Sequence, residues 1–157
     1  MRGPGVFQGY LGHDELYRAS ITTDGYFRTG DLATIDVDGF VSITGRLKDV
    51  IIRGGVNIAP LAIETELIQH PAITQVAVIG KPDRRLGQRI CAVVTAHGDR
   101  LTLEDLLRWL SERDVSKRLW PEDLIVVPSI PMTAAGKLAK HQLSSELFGK
   151  DEDEDQA

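Results

Sequence analysis

Apolar positions recur along this chain in two rhythms. The runs "QVAVIG" (75–80) and "RICAVVTA" (89–96) are almost continuously apolar and rich in β-branched residues, the pattern of strands buried on both faces. The helical rhythm appears in "PLAIETELIQH" (60–70), where Leu61, Ile63, Leu67 and Ile68 form one apolar side. Pro60 suits a first helical position, where its missing N–H costs nothing, and His70-Pro71 predicts the helix end. A second helix is predicted in "LTLEDLLRWLSER" (101–113), with Leu103, Leu106, Leu107 and Leu110 at helical spacing and Thr102 as N-cap. "LIVVPS" (124–129) reads as a third strand and "LAKHQLSSEL" (138–147) as a closing helix. Ahead of these, "DVII" and "VNI" flank Gly54-Gly55 as the arms of a short hairpin. From residue 49 the order is hairpin, helix, strand, strand, helix, strand, loop, helix. That order predicts a small mixed α/β domain with about three strands beside the hairpin and flanking helices.

The first third is different. Two Asp-Gly turn signals occur, and the second, Asp38-Gly39, lies between "ATIDV" and "FVSIT", which predicts an antiparallel hairpin. "RGPGVFQGYLG" (2–12) carries no periodic pattern, and one hairpin is too small to build its own core. The expected class is therefore α+β: a β-rich fragment over 1–47, a compact domain over 48–148 and a tail over 149–157.

Charge sharpens this division. The formal net charge of −5 resides in the tail "DEDED" (151–155), since the 18 basic residues of the chain are matched by 18 acidic ones outside it. The body is neutral, which argues against nucleic-acid binding, and the tail is expected to be disordered and solvated. No apolar run approaches the roughly 20 residues of a membrane span, and the N-terminus lacks the apolar stretch of a signal peptide, so a cytoplasmic protein is expected. Cys91 is the one cysteine; it stands inside an apolar run and reads as a small buried hydrophobe rather than a nucleophile. His13, His70, His97 and His141 show no metal-ligand spacing.

Four stretches, taken in order, resemble the C-terminal third of the acyl-adenylate-forming superfamily: "RGPGVFQGY" (2–10), "GYFRTGDLA" (25–33), "GRLKDVIIRGGVNIAP" (45–60) and "IPMTAAGKLAK" (130–140). Within it, "IIRGG", "RRLGQRICAVV" and "LWPEDLIVV" look most like AMP-forming acyl-CoA ligases acting on short, medium-chain or aromatic acids. The resemblance implies that residues 1–47 are the end of a large N-terminal adenylate-forming domain and that 48–148 form a mobile C-terminal domain. It also implies a small carboxylic acid substrate, ATP and CoA, with Mg²⁺ held mainly by the N-terminal domain, the chain's expected partner. The phosphate loop and acid pocket of such enzymes have no counterpart here, so the chain alone is expected to be inactive.

The same resemblance assigns residues. Lys137 matches the adenylation lysine. The assignment makes physical sense, because a carboxylate approaching a polyphosphate meets like charge, and an ammonium on a flexible stem can bridge the two anions. Ala134, Ala135 and Gly136 leave room for that approach. Asp31 matches a ribose ligand, Arg46 a nucleotide contact and Lys48 the pivot about which the small domain turns. Gly54 and Gly55, with Asn57 beyond them, match the face that lines the pantetheine path; a two-residue turn explains the glycines equally well. Val56 and Ala62 replace acidic residues of many relatives, while Glu64 is kept, and Ile52 stands where some carry lysine. Lys81, Arg84 and Arg85 read as a solvated loop before a CoA phosphate contact. Two alternatives to a CoA ligase remain: an adenylation domain that loads a carrier protein, and a remnant that binds nucleotide or a partner without catalysis.

Overall fold

The structure, a computed structural model, describes residues 1–98 and 101–149. The acidic run 151–155 lies outside the described residues. The chain divides into two compact units, the first being Met1–Lys48 and the second beginning at Asp49.

In the first unit a short helix, α1 (Asp14–Ser20), precedes two antiparallel strands, β1 (Asp31–Ile35) and β2 (Val41–Arg46). The hairpin turns at Asp38-Gly39, as its sequence predicts. Asp36 accepts the backbone N–H groups of Asp38 and Phe40, and Gly39 takes φ +86°, a conformation that favours glycine. The helix α1 has no counterpart in the apolar pattern, because none of its residues is buried. Ile35, Val37, Phe40, Val41, Ile43 and Leu47 stand exposed.

The second unit follows the predicted order. Strands β3 (Ile51–Arg53) and β4 (Val56–Ile58) lead to helix α2 (Pro60–Leu67), then β5 (Ile73–Asp83) and β6 (Gly87–Ala96), helix α3 (Leu103–Glu112), β7 (Asp123–Val126) and helix α4 (Lys140–Phe148). The hairpin β3–β4 is not separate from the strands that follow. All five form one sheet, with β4, β3, β6 and β5 in order and β7 parallel to β6.

Alternation along the two long strands explains why their apolar runs are unbroken. Val76 and Val78 of β5, with Ile90, Ala92 and Val94 of β6, face one side, where Ile63 and Leu67 of α2 and Leu106 and Leu110 of α3 cover them. Ala77, Ile79, Cys91 and Val93 face the other, under Ile130 and Leu143 of α4. The sheet is the middle of three layers.

Helix α2 departs in detail from expectation. α2 stops at Leu67, ahead of His70-Pro71, and its buried residues are Pro60, Ile63 and Leu67. Leu61 and Ile68 are 39% and 45% exposed. Each is one residue beyond a buried one, about 100° around the helix and off the packed face. In α3 the N-cap is Thr102 as expected, reinforced by Asp105, whose carboxylate accepts the Thr102 N–H while the Thr102 hydroxyl oxygen accepts the Asp105 N–H. No helix among the described residues is long and apolar enough to cross a membrane.

Candidate active-site faces

In the first unit, Asp31 opens β1 and Arg46 ends β2, and the register of the hairpin sets them opposite one another. Their side chains meet, with Arg46 Nε 3.3 Å from Asp31 Oδ1. Both remain partly open to solvent, at 47% and 28% exposure. An exposed pair of this kind contributes at most about 1 kcal/mol to stability. What it provides is a carboxylate and a guanidinium held side by side at one end of the hairpin, one an acceptor and the other a multiple donor.

Lys48 occupies a one-turn 3₁₀ helix, Leu47–Asp49, directly after β2, and is exposed. Leu47 N–H donates to the carbonyl of Gly30, tying the start of this turn to the first unit. The division between the units falls immediately after Lys48.

In the second unit the glycines form the tip of β3–β4. Gly54 takes φ +56° and Gly55 φ +82°, the pair of left-handed conformations that a two-residue hairpin turn of right-handed twist requires. Open space surrounds the position of a Gly55 Cβ, while Gly54 lies against Leu86 and donates its N–H to the Leu86 carbonyl. Asn57 pairs with Ile52, and both are exposed.

Lys137 lies on a second, smaller hairpin closed by the bridge between Met132 and Leu138. The loop is tightly bonded: Thr133 N–H donates to the Lys137 carbonyl at 2.7 Å, Gly136 N–H to the Thr133 carbonyl at 2.9 Å, and Ala139 N–H to the Pro131 carbonyl at 2.8 Å. Gly136, at φ +73°, makes the bend. Its base is anchored by Ile130, buried in the second core, and its exit leads straight into α4. The side chain of Lys137 itself is exposed.

Two carboxylates stand behind these features, Glu64, which the resemblance marks as a kept acidic position without a role, and Glu122, which the sequence reading passes over. Glu64 of α2 accepts the Val78 N–H on β5 and pairs with Lys140 Nζ at 2.7 Å, both side chains being less than one-fifth exposed. Glu122, just ahead of β7, receives Arg53 Nε at 2.8 Å through one oxygen and the Ile90 N–H at 2.9 Å through the other. Burial opposes ionisation of Glu122, but the Arg53 guanidinium and the Ile90 N–H outweigh it and hold the carboxyl below its ordinary value. Lys140 carried one physical hint. It opens α4, where the helix dipole disfavours a cation and the first turn holds no acid, so a carboxylate from elsewhere offsets that cost.

Cys91 is fully buried and its thiol is pushed up to about 11, chiefly by burial. Lys81 is not part of a solvated loop: it pairs with Asp123 at 2.9 Å. Arg84 and Arg85 are exposed in the β5–β6 turn.

Residues 62–137 match the family of the AMP-binding enzyme C-terminal domain, and the match ends on the lysine of the small hairpin. The matched stretch has the sequence of an AMP-binding enzyme C-terminal domain. Two curated relatives of this C-terminal domain extend the similarity over almost the whole chain. The medium-chain fatty-acid–CoA ligase of Escherichia coli (strain K12) is 39% identical over 149 residues, covering 94% of this chain and 26% of the relative. The salicyl-AMP ligase / salicyl-S-ArCP synthetase of Mycobacterium tuberculosis (strain ATCC 25618 / H37Rv) is 38% identical over 147 residues, again 94% of this chain and 26% of the relative. Among solved structures, ATP-bound MatB from Rhodopseudomonas palustris superposes with a TM-score of 0.81 at 36% identity, over 92% of this chain and 29% of that one. The chain thus spans about a quarter of the length of the curated relatives it matches.

Proposed function

We propose that this chain is the C-terminal quarter of an ATP-dependent ligase that activates a small carboxylic acid as its acyl-adenylate and passes the acyl group to a pantetheine thiol. The observation that carries the reading is the setting of Lys137, an exposed ammonium on a rigid hairpin at the last residue of the family match. In the first half-reaction a carboxylate oxygen of the acid attacks the α-phosphorus of ATP. The new P–O bond forms as the bond to the α,β-bridging oxygen breaks, and pyrophosphate leaves. Lys137 serves by bringing positive charge between two anions, an effect of about 1 kcal/mol at 4 Å in water and about 4 kcal/mol at an effective dielectric of 20. Exclusion of water around Lys137 therefore sets its effect.

Asp31 and Arg46 fit the sugar and phosphate of a nucleotide. The pair is open to solvent, and the one strand-end position presents both an acceptor for hydroxyls and a donor fork for phosphate. In this reading magnesium is held mainly by the N-terminal domain; among the described residues no group of three His, Cys, Asp or Glu could hold a metal ion. In the second half-reaction a thiol sulfur attacks the acyl carbon, the C–O bond to AMP breaks and a thioester forms. Gly55, with open space around its Cβ position, fits a close approach by the slender pantetheine arm. Lys48 is the pivot of this reading, in the turn within which the second unit begins.

The test is exchange of labelled pyrophosphate into ATP by the full-length parent ligase. Lys137→Ala is expected to reduce exchange by about 100-fold or more, and unchanged exchange would overturn the reading. The chain alone is expected to give none. The similarity to a salicyl-S-ArCP synthetase makes a carrier-bound thiol the second reading; supplying the parent with CoA or with a phosphopantetheinylated carrier protein decides between acceptors.

A further inference from the structure

The two candidate features of the second unit sit on loops, and each loop is tied down by a different partly buried carboxylate. The lysine hairpin runs into α4 at Lys140, three residues after Lys137, and Lys140 is clamped to Glu64. Glu64 is itself fixed by the Val78 N–H at 2.6 Å, on the outer side of β5, an edge strand of the sheet. The glycine hairpin is held from the opposite side of the sheet. Arg53, adjacent to Gly54, is bonded to Glu122, and Glu122 is fixed by the Ile90 N–H on the side of β6 that faces β7. The Ile52 N–H adds a bond to the Gln88 side chain at 2.8 Å. Strands β5 and β6 separate the two carboxylates, and no residue is shared between the braces.

A brace matters where a group must be placed to a fraction of an ångström. Misplacement by about 1 Å costs on the order of 100-fold in rate even when the altered residue never touches the reactants. A partly buried ion pair whose carboxylate also accepts a backbone N–H suits this, since the backbone bond holds the carboxylate and the carboxylate holds the cation.

We propose that Glu64 and Glu122 are positioning residues for opposite half-reactions, Glu64 through Lys140 for adenylation by Lys137 and Glu122 through Arg53 for acyl transfer past Gly54 and Gly55. This rests on the ligase reading above. Each brace serves one loop, so loosening one leaves the other geometry intact.

The experiment measures both half-reactions in the parent ligase: pyrophosphate exchange for adenylation, and thioester formation from supplied acyl-adenylate for transfer. Glu64→Gln is expected to lower exchange about 10- to 100-fold while transfer stays within about twofold, and Glu122→Gln to do the reverse. A variant that leaves a partly buried cation unpaired can unfold, so the charge-neutral double replacements Glu64→Gln with Lys140→Met, and Glu122→Gln with Arg53→Met, are measured beside them, with thermal unfolding of each. Opposite losses from the two braces establish the assignment. Parallel loss of both half-reactions in every variant, or loss in neither, overturns it. Lys137→Ala separates this from the parent reading: if it spares exchange, the ligase reading fails, and if it abolishes exchange while the brace variants do not split the half-reactions, only the positioning role fails.

Discussion

Single side chains in the second unit divide between packing and electrostatics, and each role has a direct readout. Cys91 is 0% exposed with its thiol pushed up to about 11, so neither the thiolate nor access is present in the native state near neutral pH. Labelling of Cys91 by a thiol reagent is expected to occur at the rate of global unfolding, and rapid stoichiometric labelling of native protein would contradict the packing. Glu122 carries a pH dependence. Its folded value lies below the ordinary 4.5, so the contribution of its bonds is complete above 4.5 and is lost as pH falls through the folded value. Acid titration followed by circular dichroism should show stability declining as pH falls below 4.5, with Glu122→Gln flattening the profile.

Elements show how far the apolar pattern reaches. The order of the strands and α-helices after residue 49 is legible in it, because β5 and β6 are buried on both faces and α3 pairs one apolar stripe with a capping box; the 3₁₀ turn Lys117–Leu119 is not. Replacing Thr102 by Ala is expected to cost about 1 kcal/mol in denaturant unfolding. What the pattern hides is whatever burial does not mark. Helix α1 buries nothing, so no period betrays it, and α2 is better defined by Pro60, Ile63 and Leu67 than by the wider apolar side that Leu61 and Ile68 suggest. The site splits the same way. Lys137, Gly54, Gly55, Asp31 and Arg46 stand in short motifs readable in line, whereas Glu64 meets Lys140, and Glu122 meets Arg53, across 76 and 69 residues of chain. A separation that long leaves no local signature. The 3₁₀ turn at Lys48 supplies an element-level test of the pivot: Lys48→Pro is expected to slow thioester formation in the parent while sparing pyrophosphate exchange, and equal effects on both would refute the pivot.

At the scale of the molecule, the two units differ in how their interiors are built. Among the described residues every buried apolar side chain of the core stands at Ile51 or later. Residues 49–149 expressed alone are therefore expected to unfold cooperatively, and Leu106→Ala should destabilise them by about 2–5 kcal/mol in urea titration. A fragment of residues 1–48 should show no cooperative transition, since a two-stranded sheet cannot sustain itself. The outer margin of β5 has a consequence for life at high concentration. Eleven residues of extended backbone, Ile73–Asp83, would offer a template on which a second copy could add a strand. Pro82 removes one donor from that margin, and the Glu64 carboxylate with its Lys140 partner occupies another, the Val78 N–H, so the ion pair that braces a loop also closes one of the positions an added strand would pair with.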